Sequence, residues 1–184
     1  LDQLLERKRG LAGDMLNGSG DISPNEFDFA DIVPGGSVAG FDERVDLATV
    51  MRMSWRMFEA LGGALWQKQG FDLCYVTPST GDQGVDVVAI RGAEGVLIQT
   101  KSSSVENAKL GWETVKEVVG GEAYYRRRHP GVTFKKIGLT NQYFNTQAQQ
   151  QAALNGVELF DRDTLEALLD RYPVQLVDLE RLLF

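Results

Sequence analysis

Two short apolar segments separated by one turn constrain the fold of this chain more than any other feature of its sequence. Residues 85–91 (Val-Asp-Val-Val-Ala-Ile-Arg) and 96–101 (Val-Leu-Ile-Gln-Thr-Lys) are too short for core helices and rich in β-branched residues. We therefore predict two buried strands that pair as a hairpin across Gly92–Gly95. Because both segments are apolar almost throughout, helices must cover both faces of their sheet.

Helical and strand patterns alternate around this hairpin. The order indicates an α/β fold with a central mixed β-sheet flanked by helices, in which a three-stranded meander precedes strands added by parallel crossovers. The predicted elements are helices over 47–69, 108–127, 146–154, 162–171 and 174–184, and strands over 71–78, 85–91, 96–101, 132–140 and 157–160.

The two ends of the chain differ in composition from its middle. A short helical pattern over 2–16 leads into residues 17–49, which are rich in Gly, Ser, Pro, Asn and Asp and are typical of a linker. We place the main domain at 46–172, an N-terminal helix and linker at 1–45, and a C-terminal helix at 173–184. The chain begins with Leu and shows no signal-peptide pattern, so we expect a segment of a longer parent protein whose other domains are partners.

The cysteine and histidine content excludes several kinds of site. The chain has one Cys (Cys74, expected in the core) and one His (His129, expected at the surface), which excludes a disulfide framework and a zinc site of Cys/His type. No apolar run approaches the roughly 20 residues that span a bilayer, and a single thiol suits a cytoplasmic location. Any catalysis must therefore rest on carboxylates, amides, lysines or hydroxyls.

The charge distribution leaves nucleic-acid binding open. The net charge of −7 argues against an anionic partner, but residues 51–160 carry 12 basic and 10 acidic side chains. Two basic runs lie in this middle part, and a basic run taken alone usually marks a solvated surface. As candidates for contacts to a nucleic-acid backbone we select Arg126, Arg127, Arg128, Lys135 and Lys136.

Three polar residues interrupt the strands where apolar ones are expected. Burying the carboxylate of Asp86 or the ammonium of Lys101 costs several kcal/mol unless it is paired. Gln99 and Lys101 are two residues apart and so project from the same face of the sheet. If Arg91 pairs with Val96, Asp86 lies opposite Lys101, and an acid, an amide and a cation meet at one edge of the sheet.

This set of side chains suits metal-assisted phosphodiester hydrolysis. The carboxylate of Asp86, the side-chain oxygen of Gln99 and the carbonyl oxygen of Thr100 are hard ligands of the kind Mg²⁺ prefers, with Mn²⁺ as a substitute. Lys101 is placed to orient the attacking water and to stabilise charge on the phosphate. Glu59, on the helix between two tryptophans, is a further candidate for the metal site.

Structural alternatives exist for each of these residues. Asp86 and Lys101 could form a cross-strand ion pair without catalytic function, and Gln99 could hydrogen-bond a loop. Glu59 could lie partly exposed at a helix edge, and Asp82 is expected to be a turn residue.

Several ordered segments together resemble the Mrr-type restriction endonuclease domain, a branch of the PD-(D/E)xK nuclease superfamily with Gln in the last half-motif. Asp82 to Ala89 followed by 96–101 resembles its D…QxK signature, and 57–59 resembles its first-helix glutamate segment. Residues 138–148 and 155–161 resemble the strands and helix starts that follow the site.

The resemblance implies a restriction-endonuclease-like αβββαβ core and Mg²⁺-dependent cleavage of double-stranded DNA, often in defence against foreign DNA. It implies that Asp86, Gln99 and Glu59 hold the metal and that Lys101 serves the water and the scissile phosphate. A homodimer is expected by analogy, because nucleases of this fold commonly pair to cut both strands. A binding module that does not cleave, and a junction or RNA nuclease on the same fold, remain alternatives.

Overall fold

The computed structural model describes residues 43–81 and 83–184; the predicted helix over 2–16, most of the predicted linker and Asp82 lie outside these ranges. The described elements are α1 (Leu47–Val50), α2 (Trp55–Lys68), β1 (Leu73–Val76), β2 (Val87–Arg91), β3 (Glu94–Lys101), β4 (Lys109–Leu110), α3 (Glu113–Arg128), β5 (Thr133–Thr140), β6 (Tyr143–Phe144), α4 (Thr146–Asn155), β7 (Val157–Phe160), α5 (Arg162–Arg171) and α6 (Leu176–Leu183).

The five long strands form one mixed sheet in the order β1-β2-β3-β5-β7. The first three run antiparallel as a meander, and β5 and β7 join in parallel after the crossover helices α3 and α4. The predicted α/β class and mixed sheet are confirmed. Two short strands, β4 and β6, form a separate parallel pair that the sequence pattern did not predict.

The two faces of the sheet bury different halves of the same strands. Val87, Ala89 and Ile98 pack with α2, α5 and α6, whereas Val88 and Leu97 pack with α3 and α4. This alternation follows from the two-residue period of a strand. Because helices cover both faces of the sheet, the side chains on both faces of these strands are buried. This explains why the two segments are apolar almost throughout.

The hairpin between β2 and β3 is tighter than the sequence suggested. Arg91 pairs with Glu94 rather than with Val96, so the turn has two residues, and Gly92 at its first position has a φ of 58°. Extending this register past the pair Val87–Ile98 brings Asp86 level with Gln99 and not with Lys101. The predicted register was wrong by two residues, because a positive φ at glycine allows the shorter turn.

The predicted helix over 47–69 is interrupted. α1 ends at Val50, and α2 begins after Ser54, whose hydroxyl accepts a hydrogen bond from the Met57 N–H at 3.3 Å. A side-chain cap of this kind satisfies one of the free N–H groups of a helix start, and it separates the two helices.

The last helix packs against the main sheet assembly. Leu179 of α6 is buried in the core with α2, and the Lys68 ammonium lies 2.9 Å from Asp178 Oδ2. Residues 43–45 pair with residues 174–176. The Val45 N–H donates to the Val174 carbonyl at 2.8 Å, and the Leu176 N–H donates to the Glu43 carbonyl at 3.1 Å. Among residues 43–81 and 83–184, no helix has the length and apolar character to cross a bilayer.

Candidate functional site

The carboxylate of Asp86 is held by Thr100 on the neighbouring strand. Asp86 Oδ2 accepts hydrogen bonds from the Thr100 N–H and from the Thr100 hydroxyl, each at 2.7 Å, and both residues are buried. Asp86 lies just before β2 begins, and its carboxylate thus accepts hydrogen bonds from a residue of the neighbouring strand β3. Hydrogen bonds to an ionised acceptor are about twice as strong as neutral ones, so this pair orients the carboxylate firmly.

Two close backbone approaches position the turn before Asp86. A Cβ atom at Gly84, which has a φ of 78°, would lie 2.7 Å from the Glu117 carbonyl oxygen of α3. A Cβ atom at Gly121, also on α3, would lie 2.6 Å from Val85 and 2.7 Å from the Gln83 oxygen. Only glycine fits at these two positions, and the absent side chains let the turn rest directly on α3.

Glu59 belongs to a network that reaches Asp86. Arg56 Nη1 donates to Glu59 Oε2 at 2.7 Å and to the Thr77 carbonyl at 2.9 Å. The Thr77 N–H in turn donates to the Asp86 carbonyl at 2.8 Å. Glu59 is buried, so the alternative that placed it exposed at a helix edge is wrong.

Gln99 carries a buried oxygen with no hydrogen-bond donor. Its Nε2 makes only a long contact of 3.4 Å to the Thr100 carbonyl, and its Oε1 has no partner among the described residues. The alternative in which Gln99 hydrogen-bonds a loop is therefore not what these residues show. An unsatisfied buried acceptor costs about 1–3 kcal/mol, so this oxygen is a candidate ligand atom.

Lys101 ends β3 with an exposed side chain. Its ammonium forms no hydrogen bond or ion pair within the described part of the chain, so the alternative of a structural cross-strand ion pair with Asp86 is wrong in these residues. The physical reason is the shorter hairpin, which moves Lys101 two residues past the level of Asp86. The ammonium is consequently available to an anionic ligand.

The side-chain oxygens of these residues are of the type that a hard divalent cation takes as ligands. Mg²⁺ takes oxygen ligands, and the region offers the carboxylates of Glu59 and Asp86 together with the unpartnered Gln99 Oε1. Within residues 43–81 and 83–184 no three His, Cys, Asp or Glu side chains form a metal cluster. The candidate metal site thus has two carboxylates, and its third side-chain ligand would be the Gln99 amide oxygen.

The predicted basic contacts lie at the other end of the sheet. Lys135 pairs with Val96 at the start of β5, whereas Lys101 pairs with Thr140 at its end. Five residues of strand separate these levels, which is about 17 Å. α3 ends at Arg128, just before β5 begins, so the arginine run 126–128 lies at the Lys135 end as well.

The five basic residues also differ in their surroundings. The three arginines and Lys135 are exposed, but Lys136 is half-buried and its ammonium lies 2.6 Å from Glu122 Oε2. The selection of these residues as nucleic-acid contacts stays a prediction.

His129 and Cys74 both lie away from the catalytic candidates. His129 is half-buried, its Nε2 is 3.0 Å from the Tyr75 hydroxyl, and burial together with the adjacent Arg128 lowers its pKa. Burial and nearby Asp72 raise the pKa of the Cys74 thiol to about 12, so the thiol stays protonated. Neither residue is arranged as a nucleophile or its base.

Sequence patterns missed three supporting groups. Arg56 and Thr77 link Glu59 to Asp86, and the Thr100 side chain, considered only for its carbonyl, holds the Asp86 carboxylate. The spacing of Arg56 and Glu59 by three residues on a helix is a signal that would have predicted their pairing. No local pattern indicates the contacts of Thr77 or Thr100, which join separate strands.

A model of a protein family, Mrr_cat, described as a restriction endonuclease, matches residues 50–169, more than half of the chain. The fold is similar to the crystal structure of a protein of unknown function, AF1548, with 21% identity and a TM-score of 0.50 over 64% of this chain and 66% of that one. At that identity the likeness concerns the fold alone.

A second similar structure is the MspJI restriction endonuclease in complex with a 27-mer oligonucleotide, with 25% identity and a TM-score of 0.50. The match covers 74% of this chain and 33% of that one, so this chain spans only part of the length of both solved structures. A comparison with curated proteins found no match.

Proposed function

This chain belongs to the Mrr_cat restriction endonuclease family, and on that premise we propose that it is a catalytic domain that hydrolyses phosphodiester bonds of double-stranded DNA with Mg²⁺ or Mn²⁺. The observation that carries the metal proposal is the buried Gln99 Oε1 without a donor, next to the Thr100 that holds the Asp86 carboxylate. A cation at this oxygen would satisfy it, whereas a hydrogen-bond acceptor left empty is costly.

Each residue has a distinct role in this proposal. Asp86, Gln99 and Glu59, with the Thr100 carbonyl, supply the oxygens that hold the metal, which when bound acts as a Lewis acid and activates water. Thr100 fixes the direction of the Asp86 carboxylate through its two hydrogen bonds. Lys101, exposed at the end of β3, orients the attacking water and stabilises the negative charge that develops on the phosphate.

The biological setting is part of the same proposal. We place the domain in the cytoplasm, in defence against foreign DNA, beside other domains of a longer protein, and as a homodimer that cuts both strands. The similar MspJI structure holds a 27-mer oligonucleotide, and this supports a domain that contacts DNA.

Cleavage of supercoiled plasmid DNA with Mg²⁺, Mn²⁺ or EDTA tests the proposed activity. We expect cutting only with a divalent ion, and we expect Lys101→Ala to reduce the rate by at least about 100-fold. Lys116→Ala, which removes another exposed lysine, on α3, is the matched control and should cut normally. Cutting that survives both Lys101→Ala and Asp86→Asn would refute the assignment.

One observation favours a module that binds DNA without cleaving it. Arg56 already neutralises Glu59 at 2.7 Å, which reduces the charge available to a cation. This alternative predicts DNA binding that is independent of metal and no nicking with any divalent ion. Calorimetric titration of Mn²⁺ into the protein separates the two, because only the nuclease should bind the ion. Competition by RNA and by four-way junctions tests the remaining substrate alternatives.

A further inference from the structure

Two exposed apolar side chains lie on the chain segments that border the candidate site. Trp55 is the first residue of α2 and is 57% exposed, and Val105, in the loop after β3, is 65% exposed. Trp55 precedes Glu59 by four residues, so the two lie on the same side of α2 one turn apart. Val105 follows Lys101 by four residues. We call Trp55 and Val105 the apolar rim.

Buried amides hold the loop that carries Val105. The Ser103 N–H donates to Asn141 Oδ1 at 2.9 Å, and the Ser103 carbonyl accepts from Asn141 Nδ2 at 3.2 Å and from Gln142 Nε2 at 3.0 Å. The backbone pairing of β3 with β5 ends at Lys101 and Thr140. Two residues further along, the side-chain amides of Asn141 and Gln142 hold the chain after β3 in the same direction as that pairing. The loop therefore leaves the site in a defined direction.

The same amides contact the segment that carries Trp55. Asn141 Nδ2 lies 3.8 Å from the Met51 sulfur, and Gln142 Nε2 lies 3.6 Å from it. Met51 precedes Trp55 by four residues and Ser103 precedes Val105 by two. The entry to α2 and the exit from β3 are thus held together at the Lys101 end of the sheet, and each presents one apolar side chain to solvent.

The charge around the apolar rim suits a polyanion. Arg52 and Lys101 are exposed on the same two segments, and Lys109 lies at the end of the loop. Glu106 is the exposed acidic residue of this loop. A phosphate backbone satisfies the cations, while the indole offers a face on which a base stacks, a contact that every nucleobase can make.

Resting on the proposed nuclease function, we propose that the apolar rim contacts the nucleic-acid strand held at the site. Trp55 stacks on a base that leaves the duplex stack beside the scissile phosphate, and Val105 packs against the adjacent sugar or a thymine methyl group. The predicted basic residues, about 17 Å away along β5, contact the backbone at a distance from the cut. The aromatic contact adds to the affinity that the neighbouring cations supply.

Steady-state cleavage and equilibrium binding of a fluorescein-labelled duplex, and of its single strand, test the apolar rim. Base stacking on an aromatic side chain is worth about 1–3 kcal/mol in a single strand, so we expect Trp55→Ala to raise the Kd of the single strand about tenfold. For the duplex, KM and Kd should rise by a smaller factor with little change in kcat, because the base must first leave the stack. Trp55→Phe, which keeps a stacking face, should stay within about threefold of the wild type. Val105→Ser should raise KM by a smaller factor.

Leu154→Ala is the control, because Leu154 is a 79% exposed apolar residue on α4, which carries no residue of the candidate site, the apolar rim or the basic set. It should leave KM and Kd unchanged. An unchanged Kd for Trp55→Ala, or a Trp55→Phe protein as weak as Trp55→Ala, would overturn the stacking role. Trp55 and Val105 are exposed, so we expect the same midpoint of urea unfolding for all variants. If Trp55→Ala does not fold, Val105→Ser provides a second test.

The two proposals fail in different ways. If the wild type binds DNA but does not cut it, the cleavage proposal is refuted while the Kd comparison still decides the role of the apolar rim. If the wild type cuts DNA but the rim variants match it in KM and Kd, the rim proposal alone is refuted. A wild-type protein that neither binds nor cuts DNA overturns both.

Discussion

Replacing Asp86 separates the structural use of its carboxylate from the catalytic one. Asp86→Ala removes the acceptor of both the Thr100 N–H and the Thr100 hydroxyl, which are buried. Asp86→Asn keeps one side-chain oxygen at the same place but removes the negative charge. The two variants should therefore lose cleavage equally and lose stability unequally.

The expected magnitudes follow from the two hydrogen bonds. Each buried donor left without an acceptor costs about 1–3 kcal/mol, and the hydroxyl can rotate toward another acceptor, so Asp86→Ala should lower the free energy of unfolding by about 2–4 kcal/mol. Asp86→Asn loses only the charge-assisted part, about 1 kcal/mol. Loss of a proposed metal ligand should reduce cleavage by at least about 100-fold in both.

Urea unfolding followed by tryptophan fluorescence and circular dichroism measures the difference. With a slope of about 1–3 kcal/mol per molar urea, the midpoint of Asp86→Ala should fall by about 1–2 M. Asp72→Ala, at an exposed position, is the control and should stay within about 0.5 kcal/mol of the wild type. If Asp86→Ala unfolds at the same midpoint as Asp72→Ala, Thr100 does not depend on the carboxylate and the argument is refuted.

Three further predictions follow from the described contacts. Gln99→Leu removes the unsatisfied oxygen and should raise the free energy of unfolding by about 1 kcal/mol while reducing cleavage; a loss of stability in urea would contradict this. Burial alone would raise the pKa of Asp178, but a backbone N–H donor and Lys68 together hold it below its usual value. Because the folded pKa is depressed, this carboxylate stabilises the fold at neutral pH and ceases to do so as pH falls through that value. Asp178→Asn should therefore be less stable than the wild type at pH 7, and the difference should shrink as the pH falls below the lowered pKa; an unchanged difference would contradict the assignment. The double variant Arg126→Ala, Arg127→Ala should weaken DNA binding and reduce its salt dependence by about one unit per lost phosphate contact, measured by anisotropy across salt concentrations.

Much of the architecture was predictable from local patterns. The strands β2 and β3, the helices α3 and α5, and a meander followed by parallel crossovers follow from apolar periodicity and from glycines at turns. These signals depend only on neighbours in the chain. The residues Asp86, Gln99 and Lys101 were identifiable because polar groups inside apolar strands need a reason to be there. The break between α1 and α2 was missed, although Ser54 before the apolar face of α2 is a cap signal.

The sequence by itself determined the α/β class, the hairpin and the residue types that chemistry requires, since these rest on spacing along the chain. Only the tertiary structure decided that Asp86 is held by Thr100 and not by Lys101, that Thr77 connects Arg56 to Asp86, and that the basic residues lie at the far end of the sheet. Each of these outcomes depends on a turn length or on the direction of a crossover helix. A change of two residues in a turn alters which distant side chains meet, while the local pattern stays the same.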